Sequence, residues 1–124
     1  MTRPLIHLVD DDSAVRGTLA RVLASGGYRV REYASGRELL DSAERLEEGC
    51  ILLDINMPGP DGFAVHKALS DKAIGLPVVM MTGSGDLTLL ALKAGVADFM
   101  QKPFGRSELL SVLDQLCAEQ PAGA

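Results

Sequence analysis

Short apolar runs alternate along the chain with stretches of helical periodicity. Five runs have the length and composition of β-strands: 5–9, 28–33, 51–54, 78–82 and 98–101. After each run the apolar residues recur at helical spacing, which predicts five helices near 13–25, 36–48, 62–69, 87–94 and 106–118. The regular alternation of strand and helix predicts βαβ units and a parallel sheet.

Local signals support the helix boundaries. Ser35 followed three residues later by Glu38 forms a capping box, and Asp61 and Asp86 are suitable N-caps for the third and fourth helices. The glycines at 26–27 end the first helix.

Several of the predicted strands end in polar groups. The run 51–54 has three large apolar residues followed by Asp54, which is typical of a fully buried strand that ends in an acid. Alone, this acid could simply mark the end of a strand. However, acids at 10–12 follow the first strand, Thr82 ends the fourth and Lys102 follows the fifth. Because ligands gather at the carboxyl ends of parallel strands, these residues predict one site.

The acids at this edge suggest a metal ion. Asp10, Asp11 and Asp54 would repel one another and raise each other's pKa values, and a hard divalent cation such as Mg²⁺ would relieve that repulsion. The alternative role of the first two acids, and of Asp12, is to cap the first helix. Capping is the preferred interpretation for Asp12 only.

A hydroxyl and an ammonium near such a cluster are typical of phosphoryl transfer. Lys102 would neutralise oxygens of the transferred group, Thr82 would donate a hydrogen bond to another, and an aspartate can be the nucleophile. Lys102 could instead be a surface lysine. Because Pro103 restricts the chain beside it, we expect Lys102 to pair with Asp54.

Composition narrows the possible functions. The chain has 124 residues, enough for one domain, and 47% hydrophobic but only 4% aromatic residues predict an aliphatic core. A net charge of −5 argues against direct nucleic-acid binding. Cys50 and Cys117 are expected to be reduced thiols, in the core or on a helix. No membrane span or signal peptide is evident, so we expect a cytoplasmic protein without a membrane partner.

Four runs carry a family resemblance: VDDD at 9–12, LDINMPGPDG at 53–62, MTG at 81–83 and KPF at 102–104. Together they resemble the motifs of CheY-like receiver domains of bacterial response regulators, and the resemblance extends over residues 4–118. The segments TGSGD at 82–86 and KAG at 93–95 most resemble the FixJ-type subgroup. The resemblance implies a flavodoxin-like (βα)5 three-layer α/β sandwich, with a five-stranded parallel sheet in the order 2-1-3-4-5.

The resemblance also implies a role for each site residue. Asp54 would accept a phosphoryl group from a phosphohistidine of a sensor histidine kinase or phosphotransfer protein. Mg²⁺ would be bound directly by Asp11, Asp54 and the backbone carbonyl of Asn56, and through water by Asp10. The remaining implied roles are phosphoryl contact by Lys102, switching by Thr82 and Phe99, and tuning of dephosphorylation by Asn56 and Ser84. Phe99 lacks the hydroxyl of the Tyr often found at its position.

One segment departs from the family pattern. The stretch between Thr82 and Lys102 is about two residues shorter than in the similar proteins, a change that rotates a helix by about 200°. We therefore expect the fourth helix to be short, and displaced or partly disordered, and the usual dimer surface to be altered. Residues 119–124 are expected to be a frayed tail.

Three other functions fit the sequence less well. A haloacid-dehalogenase phosphatase would need an acid at Asn56 and a cap domain, and a dinucleotide site would need glycines at 10–12. A phosphate-independent adaptor is disfavoured because every expected site residue is present.

The two histidines are not expected to have a functional role. Neither His7 nor His66 has a partner residue at a sequence spacing typical of a metal site or of nucleophilic catalysis.

We therefore interpret residues 1–124 as a single receiver domain, a signalling module that catalyses at most its own phosphorylation and dephosphorylation. Its partners would be a kinase and either a downstream protein or a missing output domain.

Overall fold

A computed structural model describes residues 4–46, 48–83 and 95–118 of the chain. Its strands are β1 (Leu5–Val9), β2 (Arg29–Tyr33), β3 (Cys50–Asp54), β4 (Val78–Thr82) and β5 (Asp98–Gln101). Its helices are α1 (Ser13–Ser25), α2 (Gly36–Asp41), a short 3₁₀ helix (Ala43–Arg45), α3 (Gly62–Asp71) and the C-terminal helix (Arg106–Ala118). The predicted bounds of β1, β4, β5, α1 and the C-terminal helix are confirmed.

The five strands form one parallel sheet in the order β2-β1-β3-β4-β5. The predicted strand order is therefore confirmed. Val9 pairs with Leu53, and Asp54 pairs with Met81 on the next strand. Because neighbouring strands end nearly level, the residues that follow them meet at one edge of the sheet.

Helices cover both faces of the sheet, which gives three layers. On one face, Leu39 of α2 and Val65 and Leu69 of α3 pack against apolar residues of the sheet such as Met80. On the other face, α1 and the C-terminal helix supply Leu19, Leu23, Leu109 and Leu113. Since successive residues of a strand point to opposite faces, strands buried on both sides are apolar throughout, as β3 and β4 are until their last residue.

Three of the predicted helix caps are present, and the fourth, Asp86, lies outside the described residues. Oδ1 of Asp12 accepts hydrogen bonds from the backbone N–H groups of Ala14 and Val15, at 3.0 and 3.2 Å. This confirms that Asp12 caps α1. The hydroxyl of Ser35 accepts from the N–H of Glu38 at 3.1 Å, and the carboxylate of Asp61 caps α3.

The second helix was predicted too long. We expected it to continue to Gly49, but α2 ends at Asp41 and a 3₁₀ turn follows. The N–H of Ser42 bonds to the carbonyl of Leu39, three residues back, so the helix tightens there instead of continuing. Leu46 is still buried, but it lies beyond both helical segments.

Gly49 explains how the chain enters β3. Its φ of +101° is a conformation that favours glycine, and a Cβ there would lie 2.0 Å from the carbonyl oxygen of Leu5.

The second strand was predicted to begin one residue too early. It was expected to begin at Tyr28, but β2 begins at Arg29, and Tyr28 is a buried residue that precedes the strand.

The predicted fourth helix at 87–94, Ser84 and the predicted frayed tail at 119–124 lie outside the described residues. The interpretation of the whole chain as one domain stays a prediction. Within the described ranges, no helix has the length and apolar composition needed to cross a membrane.

Candidate functional site

Asp54 lies at the carboxyl end of the central strand. The three residues before it are fully buried, and Asp54 is only 4% exposed. Its Oδ1 accepts a hydrogen bond from the backbone N–H of Asn56 at 3.0 Å. The apolar run thus carries a carboxylate to the edge of the sheet while the following turn holds one of its oxygens.

The neighbouring strand β1 supplies two further acids. Asp10 is fully buried, and its Oδ1 accepts from the N–H of Asp12 at 2.9 Å, whereas Asp11 is exposed. Carboxylate oxygens of Asp10, Asp11 and Asp54 all lie within 4.8 Å of one another. The predicted cluster of three acids is therefore present.

Lys102 directly follows the edge strand β5, and its side chain reaches this cluster. Its Nζ donates hydrogen bonds to Oδ2 of Asp10 at 3.0 Å and to Oδ2 of Asp54 at 3.1 Å. Its backbone N–H donates to the carbonyl of Thr82 at 2.7 Å, which ties it to the end of β4. The expected ion pair with Asp54 is confirmed, and the equally close contact with Asp10 was not foreseen.

The charges in the cluster do not balance. Three carboxylates and one ammonium give these four side chains a formal charge of −2. Burial raises the pKa of the Asp54 carboxyl above its ordinary value of 3.8, and the Asp10 carboxylate adds to the rise. The Asn56 N–H and the Lys102 ammonium only partly oppose it. The cluster therefore has room for additional positive charge.

The pKa of Lys102 shifts in the direction that favours its charge. Burial alone would lower it, but the hydrogen bonds and charges of Asp10 and Asp54 outweigh burial and raise the pKa above its ordinary value of 10.5. Lys102 is therefore a permanent cation in this site at neutral pH.

Thr82 and Phe99 lie on the adjacent strands β4 and β5. Thr82 is fully buried at the end of β4, two residues after Met80, and Phe99 pairs with Met80 across the sheet. Since alternate residues share a face, Thr82 and Phe99 lie on the same face of the sheet. Phe99 is half-buried there and packs against the core shared by α2 and α3.

One contact of the site was missed in the sequence. Nη1 of Arg16 donates to the backbone carbonyl of Asp10 at 2.7 Å, and its Nε lies 3.4 Å from a carboxylate oxygen of Glu32 on β2. The available signal was an arginine in the first turn of the helix that directly follows the acids. Arg16 thus holds the end of β1 from behind the carboxylates.

Comparisons with known proteins identify the family of the chain. The family of response regulator receiver domains matches residues 6–114. The transcriptional regulatory protein FixJ of Azorhizobium caulinodans is 39% identical over 110 residues, which are 87% of this chain and 52% of that protein. The chain thus spans about half the length of this relative.

Two solved structures show the same fold. The crystal structure of FixJ-N matches with a TM-score of 0.90 and 29% identity, over 98% of this chain and 99% of that one. The receiver domain of a sensor histidine kinase from Pseudomonas aeruginosa matches with a TM-score of 0.85 and 28% identity, over 96% of this chain and 100% of that one. That structure has a magnesium ion coordinated in its active site cleft.

This chain belongs to the response regulator receiver domain family, and it is a signalling domain of the two-component type. The flavodoxin-like fold expected from the sequence is confirmed. Membership of this family favours the receiver interpretation over a haloacid-dehalogenase phosphatase.

Proposed function

We propose that Asp54 accepts a phosphoryl group from a phosphohistidine of a sensor histidine kinase or phosphotransfer protein. We further propose that this modification changes the binding of a downstream protein or output domain. The observation that carries the proposal is the placement of Asp54: a buried carboxylate at the end of the central strand, clustered with Asp10 and Asp11 and contacted by Lys102.

The acidic cluster fits a divalent cation. Its ligands are carboxylate oxygens, which Mg²⁺ prefers, and its formal charge leaves negative charge to be neutralised. Asp11, Asp54 and the backbone carbonyl of Asn56 would bind Mg²⁺ directly, and Asp10 through water. When bound, the ion would neutralise oxygens of the phosphoryl group. The magnesium-containing relative supports this assignment.

The residues of the chain have distinct tasks in the transfer. An oxygen of Asp54 forms a bond to phosphorus as the bond from phosphorus to the histidine nitrogen breaks, and the imidazole keeps that electron pair. The Asn56 N–H holds one carboxylate oxygen and so orients the nucleophile. Lys102 already reaches the other oxygen, and its ammonium would move from the carboxylates to the new phosphoryl oxygens.

The same contacts suggest how the signal leaves the site. Phosphorylation adds roughly −1.5 to −2 charges and new acceptor oxygens. The Thr82 hydroxyl would turn toward these oxygens, and Phe99 would follow into the space beside it on the same face of the sheet. As a phenylalanine, Phe99 makes no hydrogen bond that reports the active state. Asn56 and Ser84 would set the rate at which the acyl phosphate is hydrolysed.

The domain would turn over no substrate beyond its own phosphorylation and dephosphorylation. The reaction would take place in the cytoplasm, as the resemblance to bacterial response regulators implies. The partners are then proteins, and the net charge of −5 argues against direct contact with nucleic acid.

The test is intact mass spectrometry after incubation with acetyl phosphate or phosphoramidate, with and without Mg²⁺. Wild type should gain one labile phosphoryl group only with Mg²⁺, and Asp54→Asn should gain none. Asp61→Asn is the matched control, because Asp61 is an exposed acid that caps α3 and asparagine also caps helices. This variant should be modified like wild type.

Two outcomes would contradict the proposal. A folded wild type that gains no adduct in Mg²⁺ would instead be a phosphate-independent adaptor. Continuous release of phosphate from the donor, without accumulation of an adduct and dependent on Asp54, would indicate a hydrolase.

A further inference from the structure

The two cysteines of the chain lie next to each other. Their sequence positions are 67 residues apart, but the Sγ atoms of Cys50 and Cys117 are separated by only 3.6 Å. Cys50 is the first residue of β3, and Cys117 is in the last turn of the C-terminal helix. Neither cysteine is in a disulfide.

We propose that Cys50 and Cys117 are a redox modification site, at which a hydroperoxide forms a reversible intrachain disulfide between β3 and the C-terminal helix. A disulfide needs an S–S distance of about 2.0 Å, so the sulfur atoms have to approach by roughly 1.5 Å. Side-chain rotation supplies a movement of this size in the last turn of a helix, where the backbone is least constrained.

Burial assigns different roles to the two thiols. Cys50 is fully buried, whereas Cys117 is partly exposed, so the oxidant reaches Cys117 first. Contact with Cys117 and burial raise the pKa of the Cys50 thiol, which therefore remains protonated. Cys50 reacts second, after Cys117 has been oxidised. The two thiols lie in the apolar cluster between the sheet and the C-terminal helix, which keeps them facing each other.

The reaction balances with hydrogen peroxide as the oxidant. The Cys117 sulfur attacks one peroxide oxygen, the O–O bond breaks, and the sulfur becomes a sulfenic acid with release of one water. The Cys50 sulfur then attacks the Cys117 sulfur, the S–O bond breaks, and the departing hydroxide takes the Cys50 proton to leave as a second water. Two thiols and one peroxide give one disulfide and two waters.

The position of this pair separates it from the acidic cluster. Cys50 and Asp54 are the first and last residues of β3, and a strand rises about 3.3 Å per residue, so the two sites lie roughly 13 Å apart along the strand. A disulfide would fix the end of the C-terminal helix to the sheet without contacting the carboxylates. We expect it to restrict fraying of the helix and to raise the thermal midpoint by roughly 10 °C, because it closes a long loop.

The experiment treats the purified chain with hydrogen peroxide, blocks free thiols by alkylation and digests with trypsin. Peptide mapping is needed because the chain also has five methionines that peroxide oxidises. The expected product joins the tryptic peptides 46–67 and 107–124, disappears with a reductant, and is absent in Cys117→Ser and Cys50→Ala. Circular dichroism establishes that both variants are folded.

The result that would overturn the proposal is complete alkylation of both thiols after peroxide treatment. Sulfinic acid on Cys117 without the cross-linked peptide, or a cross-link found only in dimers on a non-reducing gel, would also overturn it. Phosphorylation of Asp54 should be retained in the oxidised protein, so this test is independent of the proposed phosphoryl transfer.

Discussion

The Nζ atom of Lys102 lies 3.1 Å from Oδ2 of Asp54, although 48 residues separate them in sequence. The same Nζ lies 3.0 Å from Oδ2 of Asp10, so one ammonium serves two buried carboxylates. This shared cation compensates the negative charge of both buried acids.

Replacing Lys102 should destabilise the domain in the absence of divalent cations. Lys102→Met leaves the carboxylates of Asp10 and Asp54 buried without their cation, and we expect the free energy of unfolding to fall by about 1–3 kcal/mol. Lys67→Met is the control, because the Lys67–Asp71 pair is exposed and should contribute less than about 0.5 kcal/mol. Urea denaturation in a chelating buffer measures both. Equal losses in the two variants would mean that the buried contacts add nothing.

Asp54→Asn should stabilise the domain at neutral pH without metal, whereas Lys102→Met should destabilise it. Burial raises the pKa of Asp54, so above that pKa the ionised carboxylate is less favourable in the folded than in the unfolded state and lowers stability. Asparagine removes this charge while its side-chain oxygen can still accept from the Asn56 N–H. The thermal midpoint in chelator should therefore rise.

Added Mg²⁺ should make wild type more stable than Asp54→Asn, which reverses their order of stability in chelator. At ten times its dissociation constant, the ion should stabilise wild type by about 1.4 kcal/mol and Asp54→Asn by much less. Thermal unfolding across a Mg²⁺ titration measures the effect. A parallel rise of both midpoints would show that Asp54 is not a ligand.

Alanine variants of Asp11 and Asp12 should distinguish metal binding from helix capping. Asp12→Ala removes the acceptor for two N–H groups of α1 and should cost about 1 kcal/mol of unfolding free energy. Asp11→Ala removes an exposed carboxylate of the acidic cluster, with little cost in stability but at least about tenfold weaker Mg²⁺ binding. Chemical denaturation and calorimetric titration test the two effects. The interpretation fails if Asp12→Ala weakens Mg²⁺ binding more than Asp11→Ala does.

Gly62→Ala should disturb the site through the backbone. A Cβ at Gly62 would lie 2.7 Å from Cα of Ile55 and 2.9 Å from the carbonyl oxygen of Asp54, and backbone atoms cannot move aside cheaply. We expect a loss of about 1–3 kcal/mol and a slower phosphorylation of Asp54. Gly105→Ala is the control, because no atom lies within 4 Å of its added Cβ. A Gly62→Ala variant as stable as this control would show that α3 packs less closely against β3.

His7 should make stability depend on pH. His7 is fully buried, its Nδ1 lies 3.1 Å from the Tyr33 hydroxyl, and its Nε2 contacts the carbonyl of Glu48 at 3.0 Å. Burial lowers its pKa below the ordinary 6.5. The unfolded state then binds more protons than the folded state below about pH 6.5, so His7 lowers the free energy of unfolding as the pH falls through this range.

The His7→Gln variant isolates this contribution. Glutamine does not titrate, so wild type should lose more stability than His7→Gln between about pH 7.5 and about pH 5.5. His66→Gln is the matched control, because His66 is only half-buried on α3 and should contribute less. Nuclear magnetic resonance titration should give a midpoint for His7 below 6.5. A midpoint at or above that value would contradict the prediction.

Much of the fold was predictable because its signals are local. Strand alternation, capping residues and glycine stops act within a few residues, and they located β4 (Val78–Thr82) and the C-terminal helix to the residue. The end of α2 was not predictable in this way. Leu46 continues the helical spacing of apolar residues, so the sequence pattern places it on the helix. In the structure Leu46 is buried by tertiary packing, but the segment that carries it is no longer helical.

That Asp10, Asp54 and Lys102 lie close together was also predictable from the sequence alone. A parallel sheet brings the carboxyl ends of its strands to one edge, so Asp10, Asp54 and Lys102 could be assigned to one site without knowledge of side-chain positions. Only the tertiary structure decided that Lys102 contacts both acids and that Arg16 supports Asp10 from behind.

The cysteines show the limit of the sequence most clearly. Cys50 and Cys117 follow no spacing motif, and from the sequence they were two reduced thiols without a common role. They meet because the C-terminal helix packs along the sheet until its last turn reaches the start of β3. Local pattern determines which elements form, because propensity and capping act between near neighbours. Contacts between distant elements depend on how those elements pack, which only the tertiary structure decides.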